Sequence, residues 1–300
     1  MTAHLAERVL DTLATPIRIE VRALARRLGE ESGALGVLFY GSNLRTGSLD
    51  GVLDFYVLLP GPQDDLVWPR IGYREEMAGA NRLRAKIATM SLAKFAEAAA
   101  GQTLDTTIWA RFAQPSALAY VRDDDAELAI AEALAAASMT AARMAAVLGP
   151  AKAPAEAFWR ALFRRTYRAE FRVEKQGRED SILAVNRAHF DGLLGAAWEA
   201  QGLPYRTDGT SLAPDLAPGG RAALLAAWRR RERLGKPLNL VRLARAALTF
   251  EGAADYAAWK LERHTGIALE VTPFRAAHPL LAMPGAAFDL WRARRRRGGA

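Results

Sequence analysis

A lone carboxylate inside an apolar run sets the tightest constraint on this chain. The run Val52-Leu53-Asp54-Phe55-Tyr56-Val57-Leu58-Leu59 reads as a short buried strand, and Asp54 is its one charged residue. A similar run, Gly36-Val37-Leu38-Phe39-Tyr40, precedes it and ends in Gly41-Ser42. Taking a carboxylate out of water is expensive, so a buried one needs a cation or a metal ion beside it. A Gly-Ser turn lets the backbone come close to a phosphate. Together the two runs predict a metal-dependent nucleotide site on adjacent strands. The plain alternative is an aspartate paired with a buried arginine. Asp50, in the connecting loop, is the next candidate oxygen ligand.

Around these runs the first third of the chain reads as α/β. Apolar residues recur at helical spacing over 5–13 and 19–28. Leu83 to Ala88 and Ala117 to Val121 read as further strands, and the stretch with Trp68-Pro69 and Gly72-Tyr73 as a loop. Ser91 is placed to cap a helix over 92–99. The character changes at Asp123-Asp124-Asp125. From Ala126 to Leu148 the residues are nearly all strong helix formers. Helices are then expected over 154–167, 181–201, 221–234, 238–248 and 253–264, with 202–220 as a linker. The expected fold is α+β. It has a mixed-sheet domain over 1–122, a mainly helical domain over 123–235, and C-terminal helices with a basic tail over 236–300.

The net charge of +8 favours phosphate-rich partners without choosing among nucleotides, nucleic acid and anionic membranes. The absence of cysteine excludes disulfides, zinc–thiolate sites and a catalytic thiol. The four histidines show no metal spacing, and neither a Walker A sequence nor GxGxxG occurs. No run of eighteen apolar residues suggests a spanning helix, and the N-terminus opens into a charged amphipathic pattern.

Three further groups carry candidate chemistry. Lys86, within an expected strand, has the rigid mount that a triphosphate contact needs; a snorkelling lysine is the alternative. Arg164-Arg165-Thr166-Tyr167-Arg168-Ala169-Glu170-Phe171-Arg172 can form a phosphate clamp, with Glu170 as a further metal ligand, or a solvated helix face. The segment from Pro279 to Trp291, followed by Arg292 and Arg294 to Arg297, suits an anionic bilayer surface.

In their order along the chain these motifs resemble the mitochondrial-type phosphatidate cytidylyltransferases. These are peripheral CDP-diacylglycerol synthases of the nucleotidyltransferase superfamily. Tyr40-Gly41-Ser42 matches a Tyr-Gly-Ser turn, and Leu53-Asp54-Phe55 matches a strand with a single acid. Val52 stands where the wider superfamily places a first acid. Lys86 and Ser91 match a Lys-Tyr-Gly-Val-x-Ser segment, with Ile87-Ala88 replacing Tyr-Gly. Arg111 and Pro115 match Gly-Arg-x-x-Lys-Pro, with Gln114 at the lysine. Tyr167, Glu170, Phe171 and Arg172 match Ser-Tyr-Ser-Gly-Asp-Phe-Arg, with Thr166 and Glu170 substituted. His189-Phe190 and the stretch from Arg242 to Phe250, with Ala246 at a lysine position, complete the series.

The resemblance implies a nucleotidyltransferase-fold domain, a winged-helix-type helical domain and a membrane-contacting C-terminal segment. It implies transfer of the cytidylyl group of CTP to phosphatidic acid, giving CDP-diacylglycerol and pyrophosphate, for cardiolipin and phosphatidylglycerol synthesis. Asp54, Lys86 and Arg172 are the implied catalytic residues. Mg²⁺ would be held by Asp54 with Asp50 and Glu170. Nucleotide binding falls to Tyr40, Gly41, Ser42, Lys86, Ser91 and Arg111, and lipid-phosphate binding to Arg168, Arg172 and Arg242. The implied location is cytoplasmic, peripheral on the inner face of the membrane. The competing readings are a nucleotidyltransferase acting on another acceptor, and a basic winged-helix protein that binds nucleic acid; nucleic acid is not the expected partner.

Overall fold

The computed structural model describes residues 2–170 and 178–249, together with 272 and 274; residues 178 and 243–249 are described by backbone alone. The expectations for Phe171, Arg172, the helix over 253–264 and the apolar-basic C-terminal segment lie outside the described residues.

Two helices, α1 (Ala3–Leu13) and α2 (Ile19–Ser32), lead into β1 (Gly36–Tyr40). A single turn, α3 (Ser42–Thr46), precedes β2 (Leu53–Leu59). The hairpin β3 (Arg70–Ala78) and β4 (Asn81–Ser91) follows, then α4 (Leu92–Ala99), α5 (Thr107–Phe112) and β5 (Ser116–Val121). These strands form one five-stranded mixed sheet in the order β3-β4-β2-β1-β5. β2 pairs parallel to β4, and the other pairings are antiparallel. The fold is therefore α+β, as expected.

The sheet is buried on both faces, which explains the near-continuous apolar character of its central strands. Val37, Phe39, Phe55, Val57 and Ala85 pack on Val21, Leu24 and Leu28 of α2. Residues one position out of phase, Leu38, Tyr56, Leu58, Ala88 and Met90, face the larger core. The sequence reading missed β3. Its burial is broken and four of its nine residues are charged, so no apolar alternation marks it. It is an edge strand, joined to β4 through a turn at Gly79–Ala80 and laced to it by Arg84–Glu75 (3.3 Å).

The helical part begins with α6 (Asp124–Leu148), the hub of the larger core. Asp123 caps it by accepting the Ala126 N–H at 2.8 Å, and Asp124, Asp125 and Glu127 complement its dipole. Its alanines let neighbours approach closely on several sides. By length and composition α6 would span a bilayer, but 78% of its apolar window is buried within the fold. Around it pack α7 (Ala155–Ala169), α8 (Arg178–Val185), α9 (Arg187–Phe190) and α10 (Leu193–Ala200). The expected single helix over 181–201 is thus three pieces, broken at Asn186 and at Gly192, which takes φ +70°. The expected linker contains a hairpin, β6 (Tyr205–Thr207) and β7 (Leu212–Pro214), turned by Asp208, whose carboxylate accepts two backbone N–H groups.

The last described helix, α11 (Pro218–Thr249), contains Pro237 and runs through the break expected near Gly235. Proline removes one helical hydrogen bond, a local cost that tertiary contacts override here. A Cβ on Gly235 would stand 2.7 Å from the Ala169 carbonyl, so glycine lets α11 lie against the end of α7. Asn239 then donates to the Glu170 carbonyl at 2.8 Å. One hydrophobic cluster joins Leu38 and Tyr56 of the sheet to Trp159, Trp198 and Trp228 of the helices.

Gly29 in α2 tests this packing. Alanine in place of glycine strengthens an unobstructed helix by up to about 1 kcal/mol. At Gly29 a Cβ would come within 2.2 Å of the Tyr120 ring. Gly29→Ala is therefore expected to lower stability, by about 1–3 kcal/mol, read as a lower urea midpoint; an unchanged or higher midpoint would contradict the packing.

Candidate active site

Strand register builds the site. Tyr40 on β1 faces Asp54 on β2, and Asp54 faces Lys86 on β4. Ser116 on β5 and Tyr73 on β3 extend the row to both edges. Facing residues project from the same side of a sheet, here the side of the larger core. Asp54 thus lies in a transverse polar row. Gly41 follows Tyr40 at φ +91°, and a Cβ there would stand 3.1 Å from Asp54 Oδ2. Glycine both permits the backbone angle and keeps the space above the carboxylate open.

Arg111 of α5 closes over this row. Its guanidinium lies 5.3 Å from the Tyr40 ring centre and 5.9 Å from that of Tyr56, and reaches the Tyr56 hydroxyl at 3.4 Å. Beneath it Tyr56 and Phe112 meet edge to face at 5.1 Å, and Phe95 and Phe112 at 4.8 Å. This rigid aromatic floor fixes where the cation sits. His189 braces the end of α5 through a 2.9 Å hydrogen bond between Nε2 and the Ala113 carbonyl, and burial lowers its pKa.

A second layer surrounds the first. Glu170, only 6% exposed at the end of α7, accepts the Thr106 hydroxyl at 2.7 Å. Asp105 accepts from Thr107 and from the Ile108 N–H, and forms an ion pair with Arg242 of α11. Arg242 also lies 4.4 Å above the Trp68 ring.

The electrostatics follow from burial. Desolvation pushes the Asp54 pKa above the ordinary carboxylate value, while Lys86 and Arg111 pull it back. Burial opposes the charge of Arg111, but Tyr40, Tyr56, Glu170 and Asp54 outweigh it and raise its pKa. The Tyr56 hydroxyl is pushed up, chiefly by burial.

The structure gathers most of the expected site residues but not all. Tyr40, Gly41, Asp54, Lys86 and Arg111 come together, and Glu170 acts on Arg111 from behind. Ser42 is exposed beside Gly41. Ser91 sits five residues along β4 from Lys86, opposite Leu59, and its hydroxyl caps α4 by accepting the Lys94 N–H. Asp50 is exposed in its loop, where its carbonyl accepts from Asn43 at 2.7 Å. Arg168 is exposed on α7. The sequence reading passed over Asp105, Thr106, Trp68 and Asn239. Asp105 had a usable signal, an aspartate three residues before the apolar Ile108-Trp109, as a helix cap would be.

Among the described residues no three acidic or histidine side chains group to enclose a metal ion. Asp54, beneath the gap that Gly41 leaves, fits an ion that takes most of its ligands from water and substrate phosphates, as Mg²⁺ does.

A raised carboxylate pKa has a definite consequence for stability. Its favourable contribution is full at low pH and is lost as pH rises through the folded-state pKa. In metal-free buffer at pH 7, Asp54→Asn is thus expected to stabilise the protein by on the order of 1 kcal/mol, seen as a higher Tm. The gain should vanish in acid, where both side chains are neutral. A lower Tm at pH 7 would mean that the two cations outweigh burial.

No protein-family model matches this chain, and no curated protein matches it.

Proposed function

We propose that this protein is a Mg²⁺-dependent nucleotidyltransferase, and specifically a phosphatidate cytidylyltransferase. The observation that carries the reading is the row Tyr40–Asp54–Lys86, a single desolvated carboxylate beneath Gly41 and beside the Arg111 guanidinium. A carboxylate with adjacent cations suits a metal–triphosphate complex, whose ion and phosphates each find an opposite charge. Asp54 would hold the Mg²⁺, which when bound neutralises phosphate charge.

The chain's own groups do the rest. Lys86 and Arg111 would attract triphosphate oxygens, for which Gly41 leaves room beside Asp54. Arg242, oriented by Asp105 and Trp68, is assigned to the acceptor phosphate. A phosphate oxygen of phosphatidic acid bonds to the α-phosphorus of CTP; the bond from that phosphorus to the bridging oxygen breaks, and pyrophosphate leaves with the electron pair. Fixed cations that need not reorganise lower the barrier to such a displacement. The short helices α8 to α10 followed by the β6–β7 hairpin support the winged-helix-type reading of the second part. The lipid acceptor rests on the ordered resemblance and on the basic, apolar C-terminal sequence.

Purified protein with CTP, Mg²⁺ and phosphatidic acid in detergent micelles should release pyrophosphate. Asp54→Ala should reduce the rate by about a thousandfold, and chelation should abolish it. No release with any nucleotide would sink the enzyme reading. Release with a soluble phosphate acceptor alone would reassign the acceptor. A salt-sensitive DNA shift without flotation on anionic liposomes would favour the nucleic-acid reading instead.

A further inference from the structure

At the seam of α6, α11 and the Gly101–Thr103 turn lies a second cluster of cationic side chains, independent of the proposed reaction. Arg231 of α11 is 9% exposed and donates to the carbonyls of Gly101 and Thr103. A Cβ on Gly101 would stand 2.8 Å from Thr140 Cγ2 and 3.7 Å from Arg231 Nη2, so this guanidinium lies beside α6. One turn further along α6 is Arg143, half-buried. Arg143 makes no hydrogen bond or ion pair with the described residues, and its Nε is sealed from solvent without an acceptor. The Arg231 Nε and the Thr103 hydroxyl are likewise buried and without acceptors.

Among the described residues no carboxylate forms an ion pair with either arginine. The carboxylate that acts on Arg231 is Asp105, and its oxygens are already taken by Thr107, the Ile108 N–H and Arg242. Burial lowers the pKa of both arginines, and Arg143 and Arg230 repel Arg231 further. Neighbouring cations removed from water without an anion are unfavourable, and each guanidinium is a fork shaped for oxyanions. The outer nitrogens of Arg143 are neither bonded nor sealed, so an oxyanion can reach them.

We propose that Arg143 and Arg231 form a binding site for a phosphate-class oxyanion, separate from the Asp54 row. The anion bridges the guanidinium groups across the α6–α11 seam and tightens it. A free phosphate and the headgroup of a phosphatidate surface share this chemistry.

The test uses the full chain in metal-free buffer. Inorganic phosphate, compared with chloride at equal ionic strength, should raise the wild-type Tm and bind measurably by calorimetry. Arg143→Gln should raise the Tm in chloride, because repulsion is relieved, and should weaken phosphate binding by about tenfold or more. Arg143→Lys, which keeps the charge but loses the fork, should fall between. Lys86→Gln should leave this binding in place. Vesicles of phosphatidylcholine with and without phosphatidate separate the sources: a phosphatidate-dependent flotation that Arg143→Gln weakens marks a lipid headgroup, and a response to inorganic phosphate alone marks a soluble anion. The proposal is overturned if wild type responds to neither probe. It is also overturned if Arg143→Gln retains full affinity, or if Lys86→Gln abolishes binding.

Discussion

The desolvated carboxylate of Asp54 is the interaction on which the other features of the site depend. A lone buried carboxylate costs several kcal/mol unless cations and hydrogen bonds compensate it. Lys86 acts on it from the neighbouring strand and Arg111 from α5. Each requires a long-range feature of the fold. Lys86 faces Asp54 only because β4 pairs parallel to β2, which obliges the chain to pass through the outer strand β3 and return. Arg111 reaches the row because its neighbour Phe112 packs α5 on Tyr40 and Tyr56, whose rings hold the guanidinium without competing for its charge.

The helical part contributes by holding that arrangement from behind. Glu170 and Thr106 are mutually satisfied at a buried junction between α7 and the start of α5. The same junction receives Asn239 from α11, an approach that Gly235 alone permits. Buried polar networks of this kind are costly when half satisfied and orienting when complete. Closure of the site therefore depends on three helices far apart in sequence.

This division explains what could be read from the residues and what could not. β1, β2, α6 and the Ser91 cap were legible because each rests on local chemistry: apolar runs, helix propensity, a hydroxyl before a helix. Asp54 was legible because it violates its surroundings. Tyr40 and Lys86 reach one face through strand register, and Arg111 through the packing of α5, long-range features that no local pattern carries. β3 was not legible, because an edge strand of mixed charge carries no apolar signal. The continuity of α11 through Pro237 was hidden as well, since contacts with Ala169 and Glu170 override a local breaker. Ser91, expected both as a cap and as a nucleotide contact, does cap α4, five residues along β4 from Lys86.

The fold also gives meaning to a net charge of +8 that was ambiguous in the sequence. Arginines at the surface, such as Arg74 with Glu31 and Arg160 with Asp180, are balanced by neighbours and contribute little in either direction. Arg111 and Arg242 are buried but face acids or aromatic rings. Half-buried Arg143 and buried Arg231 repel each other, and among the described residues neither has a bonded carboxylate or a ring beneath it. Surface cations speak only to solubility and steering, and compensated ones only to local architecture. Uncompensated buried cations are the ones that demand an outside anion, because the fold bears their desolvation without return until one arrives. Among the described residues that condition is met at the seam between α6 and α11, which is why the phosphate-class anion is proposed there.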